Sequence, residues 1–254
     1  MTVRLYAVLR LRPRPRPALP RGLHGEHLTI VKHAGCSMAV AEAPAPLDPA
    51  VENLLEFDRV IRALAGLSEA ILPARFGTLS PSALALKSEI AERAGALTAA
   101  LDNVAGRVQM TVRIPAEPKG PAPGSGSRPR PSASGKGSAY LQMRAAGSRS
   151  PALTRLRKTL ADLVRDERIE APPDGASVSH LIYHLIGRGD VAAYLERLER
   201  LKDVRASGPF PPYAFVPGID HAVWPGYDNE KSEPTSAGSA RPRTHRRSPR
   251  NAGR

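Results

Sequence analysis

Residues 208–216 read Gly208-Pro209-Phe210-Pro211-Pro212-Tyr213-Ala214-Phe215-Val216, and no other stretch says more about the fold. The stretch holds three of the eleven aromatic residues of the chain, interleaved with three prolines. Because proline fixes φ and has no backbone N–H, a central strand cannot begin before Tyr213. The pattern predicts a stiff, extended approach and then a strand in which Tyr213 and Phe215 share one face. We expect these aromatic side chains to lie in a core, because leaving them exposed would be costly.

Apolar patterns in the rest of the chain predict both strands and helices. Strands are predicted at residues 3–9, 28–33, 37–42, 107–114 and 178–186, and Ala34-Gly35 is typical of a hairpin turn between the second and third. Helices are predicted to begin at Asp48-Pro49, Ser80-Pro81, Ser150-Pro151 and Asp190, and the second of them to continue to Gly106. In residues 107–114 apolar side chains alternate with polar ones, so one face of that strand should be buried and the other solvated.

Residues 115–139 are predicted to separate two folded halves. They contain six prolines, five glycines and five serines, a composition that cannot bury enough apolar surface to offset its ordering entropy. We therefore predict an α+β protein with two small domains, residues 1–114 and 140–220, with a linker at 115–139 and a disordered basic tail at 221–254. The tight hairpin turn and the solvated strand face favour antiparallel sheets with helices packed on one side.

The formal net charge of +13 first suggests nucleic acid as a partner. Most of this charge, however, lies in segments that do not look folded. Residues 10–21, 115–139 and 228–254 carry +5, +3 and +4, together +12 of the +13. A nucleic-acid-binding protein that acts through flexible Arg-rich segments is therefore an alternative function, and nucleic acid is not the expected partner of the folded part.

No catalytic, cofactor-binding or metal site is predicted. His180 and His184 lie on a predicted strand, about 13 Å apart at about 3.3 Å per residue, so one ion could not bridge them. The turn beside Cys36 joins two strands, whereas a nucleophile elbow needs a strand-to-helix turn. The single cysteine, the lack of a long apolar run and an N-terminus unlike a signal peptide predict a cytoplasmic protein without a membrane span.

Residues 71–78, Ile71-Leu72-Pro73-Ala74-Arg75-Phe76-Gly77-Thr78, stand between the first two predicted helices. They predict an organised surface turn or short strand. Phe76 could pack in the core while Arg75 caps carbonyl groups or pairs with an acid. In the functional interpretation, Arg75 and Phe76 contact a partner protein, because arginine and aromatic residues often anchor interfaces.

Four stretches, in the same order along the chain, carry a resemblance to a known family. They are Leu5-Tyr6-Ala7-Val8, the hairpin at residues 28–42, and residues 71–78 and 208–216. The last two are specific. They resemble the Leu-Pro-x-Arg-Phe-Gly-Thr and Gly-Pro-Trp-Pro-Pro-Tyr-Ser-Phe-Val signatures of the gas vesicle accessory protein family GvpL/GvpF, with Phe210 replacing the tryptophan and Ala214 the serine.

The resemblance implies two α+β domains with ferredoxin-like features and a non-catalytic role in gas vesicle assembly. Members of the family are thought to bind the small hydrophobic shell protein GvpA or other accessory proteins. The expected location is the cytoplasm and the gas vesicle, and no cofactor comes with the resemblance.

Overall fold

The computed structural model describes residues 1–13, 18–115, 151–170, 178–202 and 204–217. Apart from Pro115, the predicted linker at 115–139 and the predicted tail at 221–254 lie outside these residues, so both stay predictions.

The first sheet is built from the N-terminal part of the chain. Its strands are β1 (Val3–Leu11), β2 (Thr29–His33), β3 (Cys36–Glu42), β4 (Ser68–Pro73) and β5 (Leu79–Ser80). They are ordered β2-β3-β1-β4, and β5 pairs with one end of β1. The accompanying helices are α1 (Val51–Leu67), α2 (Ala83–Glu92), α3 (Ala94–Val104) and a 3-10 turn at Leu23–Gly25.

The second sheet contains β6 (Arg107–Pro115), β7 (Val164–Glu170), β8 (Val178–Gly187) and β9 (Arg205–Phe210), in the order β7-β8-β6-β9. Helices α4 (Pro151–Leu160) and α5 (Val191–Glu199) pack on it. When the four main strands of each sheet are numbered along the chain, both sheets read 2-3-1-4 and every pair is antiparallel. The predicted α+β class with antiparallel, ferredoxin-like sheets is confirmed.

The predicted hairpin is present between β2 and β3. Ala34 and Gly35 have φ angles of 48° and 76°, the left-handed pair that a tight two-residue turn requires. His33 therefore pairs with Cys36, and the register continues to Thr29 opposite Val40.

Helices cover both faces of the first sheet, and not one side as the sequence suggested. Val60, Ile61 and Leu64 of α1 pack on one face, while Leu86 of α2 and Leu101 of α3 belong to the core on the other. The reason is visible in β1, where seven consecutive residues are buried, a run that needs apolar cover on both sides.

Strand β6 also departs from its expected pattern. Gln109 and Thr111, predicted to face solvent, are 4% and 6% exposed. The Gln109 side chain accepts a hydrogen bond from the Ala214 backbone N–H at 2.7 Å, and Leu185 on the neighbouring strand joins the core of the first sheet together with Phe215. The second sheet is thus covered on its far face by the first sheet's core and the C-terminal segment.

Strand β6 bears on the domain boundary as well. The sequence placed residues 107–114 at the end of the first domain, but β6 pairs with β8 and β9 at the centre of the second sheet. All strands of the first sheet therefore precede Arg107, and all strands of the second sheet begin at or after it. The division into domains stays a prediction.

The stretch at residues 208–216 forms a strand earlier than expected. Strand β9 ends at Phe210, and Tyr213–Phe215 is a 3-10 turn, so the predicted strand from Tyr213 is wrong. Pro209 is tolerated because β9 is an edge strand that pairs only with β6, across an irregularity in the register. The expected burial is found: Phe215 is 2% exposed and Tyr213 is half-buried.

Two helices begin later than their sequence signals. The N-cap of α1 is Ala50 rather than Asp48, and the α2 cap is Ser82, whose hydroxyl accepts a hydrogen bond from the Ala85 N–H at 3.1 Å. Ser80 is instead part of β5. The single helix expected up to Gly106 is divided at Arg93 into α2 and α3.

Candidate functional site

An open groove of about 370 Å³ lies between α1, the segment after β4 and the C-terminal 3-10 turn. It is lined by three residues of α1, four after or at the end of β4, and two of the C-terminal segment: Leu54, Phe57, Asp58, Pro73, Ala74, Arg75, Phe76, Tyr213 and Val216. We call this surface the α1–Phe76 groove. It brings together the two stretches that carry the specific part of the family resemblance.

Aromatic packing fixes the floor of the groove. Phe57 stacks on Tyr6 with ring centroids 5.3 Å apart and meets Phe76 edge-to-face at 5.6 Å. The chain turns after Phe76 because Gly77 adopts a φ of 82° and the Thr78 hydroxyl donates to the Arg75 carbonyl at 2.8 Å. Phe76 is thereby held half-buried, with part of its ring open to the groove.

A polar chain forms one wall of the groove. The Tyr213 hydroxyl donates to Asp58 Oδ1 at 2.6 Å, and Arg62 Nε donates to Asp58 Oδ2, also at 2.6 Å. The Arg62 guanidinium lies 5.0 Å from the ring centroid of Phe210. Burial, reinforced by the hydrogen bond to Asp58, raises the pKa of Tyr213, so this hydroxyl remains a donor at neutral pH. The wall is a structural clamp between α1 and the C-terminal segment.

Leu54 lines the groove, and the α1 surface next to it is apolar and exposed. Val51, Leu54 and Leu55 are 64%, 41% and 64% exposed. Spacings of three and four residues make Val51 a neighbour of both leucines on the helix surface. Large apolar side chains grouped beside a groove are typical of a protein-interaction surface.

Arg75 and Phe76, the two contact residues named from the sequence, both line the groove. Arg75 is exposed at the groove, and Phe76 is half-buried in it. Their role as partner contacts stays a prediction. Sequence analysis missed Leu54, Leu55 and Tyr213, because an apolar helix residue and an aromatic beside prolines both look like core residues. The exposure of Leu54 and Leu55 depends on how α1 is rotated against the sheet.

The second sheet contains a separate buried polar cluster. His184 is 1% exposed; its Nδ1 lies 2.7 Å from the Tyr194 hydroxyl and its Nε2 lies 3.1 Å from Glu167 Oε2. Arg157 also pairs with Glu167, at 2.6 Å. The strand face that carries His180 and His184 is buried under α4 and α5. Since every polar group of this cluster has a partner, it serves the fold.

This buried cluster makes the free energy of unfolding depend on pH. The hydrogen bond from His184, helped by Arg157 and opposed by burial, lowers the pKa of Glu167 from 4.5 to about 2. The folded state therefore holds the ionised form more strongly than the unfolded state. The resulting stabilisation is present above the unfolded pKa and is lost as the pH falls toward the folded pKa.

Glu167→Gln is expected to make the free energy of unfolding depend less on pH between about pH 5 and pH 2. The variant should lose about 2 kcal/mol or less of pH-dependent stabilisation, because solvent screens the interaction. Urea unfolding of both proteins across this pH range would measure the difference. An equally steep loss of stability in the variant would exclude Glu167 as its source.

Within the described parts of the chain, no group of three or more His, Cys, Asp or Glu side chains could hold a metal ion. No helix among those residues is long and apolar enough to cross a membrane.

Comparison with known proteins extends these observations. A family model described as "Gas vesicle synthesis protein GvpL/GvpF" matches residues 3–217. "Gas vesicle protein F" of Streptomyces sp. (strain CB03234) is 23% identical over 242 residues, and the match covers 85% of this chain and 100% of that protein.

Two crystal structures share the fold. GvpF from Anabaena sp. PCC7120 has a TM-score of 0.63 and 14% identity, covering 85% of this chain and 95% of its own. GvpF from Microcystis aeruginosa has a TM-score of 0.63 and 13% identity, covering 85% and 98%. The family match includes both sheets and both signature stretches, and on that ground the chain belongs to the GvpL/GvpF family of gas vesicle synthesis proteins.

Proposed function

We propose that this protein assists gas vesicle formation by binding the hydrophobic shell protein GvpA, or another accessory protein, through the α1–Phe76 groove. Membership of the family supports the gas vesicle accessory role. The observation that carries the finer proposal is the groove itself, an exposed apolar surface built where residues 71–78 and 208–216 meet. We expect the protein to act in the cytoplasm and at the forming vesicle, without catalysis.

The physical need for such a partner follows from the shell. A protein that forms an air-facing wall exposes apolar surface before it is assembled and is then prone to aggregate. A partner with a pre-formed apolar groove can cover part of that surface. Val51, Leu54 and Leu55 would supply contact area, and Phe76 would anchor it at the centre.

Leu54→Asp is expected to weaken capture of GvpA by at least about tenfold, because the charge would be desolvated in the contact. The combined variant Arg75→Ala/Phe76→Ala should also reduce capture. Pull-down of GvpA by the full chain would measure both, after circular dichroism has shown that each variant folds.

The matched control is Leu84→Asp, on α2. Leu84 is 75% exposed and lies outside the groove lining, so the same substitution there should leave capture unchanged. Equal capture by the Leu54 variant and the wild type would exclude the groove as the binding surface. If another gas vesicle accessory protein, and not GvpA, is lost from the Leu54 variant, the partner is that protein.

The nucleic-acid alternative depends on basic segments that lie mostly outside the described residues. It predicts DNA binding that weakens steeply with salt and disappears when residues 228–254 are removed.

A further inference from the structure

Four arginines lie where the first sheet is joined to the second. Arg10 is near the end of β1, Arg12 comes just after that strand, Arg107 begins β6, and Arg188 directly follows β8. We call these four residues the arginine cluster. None of them lines the α1–Phe76 groove, so the cluster is independent of the function proposed for that groove.

Backbone hydrogen bonds hold Arg12 and Arg188 against the same short piece of chain. The Arg188 N–H donates to the Gly106 carbonyl at 3.0 Å, and the Gly106 N–H donates to the Glu69 carbonyl at 2.9 Å. Arg12 Nε donates to the carbonyl of Ser68, the residue before Glu69, at 3.4 Å. The two arginines are therefore anchored on neighbouring backbone groups, although 176 positions separate them in the sequence.

The other two arginines of the cluster have acceptors of their own. Arg10 Nη2 donates to Asp102 Oδ1 at 2.8 Å, and Arg107 Nη1 donates to the Asn103 carbonyl. The hydrogen bond to Asp102 raises the pKa of Arg10, and the Glu69 carboxylate adds to this effect. These two acids therefore act on Arg10.

Arg188 is half-buried, and the charge that acts on it is that of another arginine. Of its guanidinium nitrogens only Nε is buried without a hydrogen-bond partner, so the terminal nitrogens remain open to a ligand. Within the described part of the chain, no carboxylate forms an ion pair with Arg188. Burial, followed by the positive charge of Arg12, lowers the pKa of the Arg188 guanidinium. Two like charges thus repel each other, and one of them is partly removed from water.

We propose that Arg12 and Arg188 together bind a phosphate-type dianion. A guanidinium group presents N–H donors in a planar fork that matches the oxygens of a phosphate group. A phosphate group attached to a side chain carries about −1.5 to −2 charges at neutral pH, which balances two arginines, whereas a single carboxylate leaves one of them without a counter-charge. Binding also offsets the repulsion between the two guanidinium groups. Inorganic phosphate and the phosphate group of a nucleotide share this chemistry.

The first test compares phosphate with chloride at pH 7 and equal ionic strength, in thermal unfolding of the full chain followed by circular dichroism. At a phosphate concentration about ten times its dissociation constant, we expect the midpoint of the wild type to rise by about 2–4 °C more than in chloride. Arg188→Gln and Arg12→Gln should each lose at least about half of this gain. The matched control is Arg165→Gln, which removes the same charge from an exposed position on β7 and should keep the full gain.

Three results would overturn the proposal. One is a wild-type midpoint that rises no further in phosphate than in chloride. Another is the same phosphate gain in the wild type and in every variant, which would assign it to a general salt effect. The third is a full gain in Arg12→Gln. Because the Arg12 side chain is exposed, this variant should fold even if Arg188→Gln does not.

The second test identifies the source and the charge of the anion. Isothermal titration calorimetry of the full chain would use inorganic phosphate, adenosine monophosphate and acetate as probes. Equal dissociation constants for phosphate and adenosine monophosphate, with both signals lost in Arg188→Gln, would show that the phosphate group alone is recognised. Binding of adenosine monophosphate about tenfold tighter, or more, would identify a nucleotide as the source. Acetate that binds as tightly as phosphate would overturn the dianion.

Discussion

Replacing Glu26 with alanine is expected to lower the free energy of unfolding by about 3–5 kcal/mol. Glu26 is the counter-charge of Arg4, which is 1% exposed although it lies on the first strand. Arg4 Nε donates to Glu26 Oε1 at 3.2 Å, and the Tyr6 hydroxyl donates to Glu26 Oε2 at 2.6 Å. Without the carboxylate, the guanidinium charge would be left buried and unpaired, and the Tyr6 hydroxyl would lose its acceptor.

The expected loss should appear in urea unfolding as a lower midpoint with an unchanged slope. The matched control is Glu196→Ala, which removes the acid of an exposed pair with Arg200 whose side chains are 68% and 71% exposed. An exposed pair of this kind contributes about 0.2–1 kcal/mol. Similar losses in the two variants would contradict the buried-charge explanation, because the Arg4–Glu26 pair is buried and the Glu196–Arg200 pair is exposed.

Phe215→Ala is expected to lower the free energy of unfolding by about 3–5 kcal/mol, because it opens a cavity where the two sheets meet. Phe215 is 2% exposed and shares a core with β1, α3 and Leu185 of the second sheet. Its ring also lies 5.3 Å from the Arg168 guanidinium. The variant should therefore loosen the contact between the sheets as well as the C-terminal segment.

Phe210→Ala is the control for this prediction. Phe210 belongs to the same stretch, but it is half-buried at an edge strand, with Arg62 over its ring. Losing that contact should cost about 1 kcal/mol. Urea unfolding, with hydrogen exchange at β6 and β9, would measure both variants. A larger effect for Phe210 than for Phe215 would exclude Phe215 as the link between the sheets.

Local sequence patterns predicted those elements whose own residues specify them. The hairpin was predictable because Ala34-Gly35 supplies the backbone angles of its turn. Strand β8 was predictable from its apolar run. Strand β7 (Val164–Glu170) was missed because five of its seven residues are charged, and pairing with β8 holds it in the sheet. Its own sequence shows no regular alternation of apolar and polar residues that would indicate a strand.

The candidate site was predicted only in part. Arg75 and Phe76 were named because arginine and aromatic residues often anchor interfaces. Their neighbours in the groove include Tyr213, which is 137 positions away from Phe76 in the sequence. Periodicity describes which side chains share a face of one element, and it carries no information about which distant element lies opposite.

The sequence by itself determined the hairpin turn and the two signature stretches that mark the family. Tertiary structure alone decided that β6 stands at the centre of the second sheet, that Gln109 and Thr111 are buried, and that Leu54 and Leu55 remain exposed. The physical reason is that burial belongs to a pair of surfaces. A residue's chemistry states what burying it would cost or contribute, but only the partner that the fold brings against it decides whether it is covered.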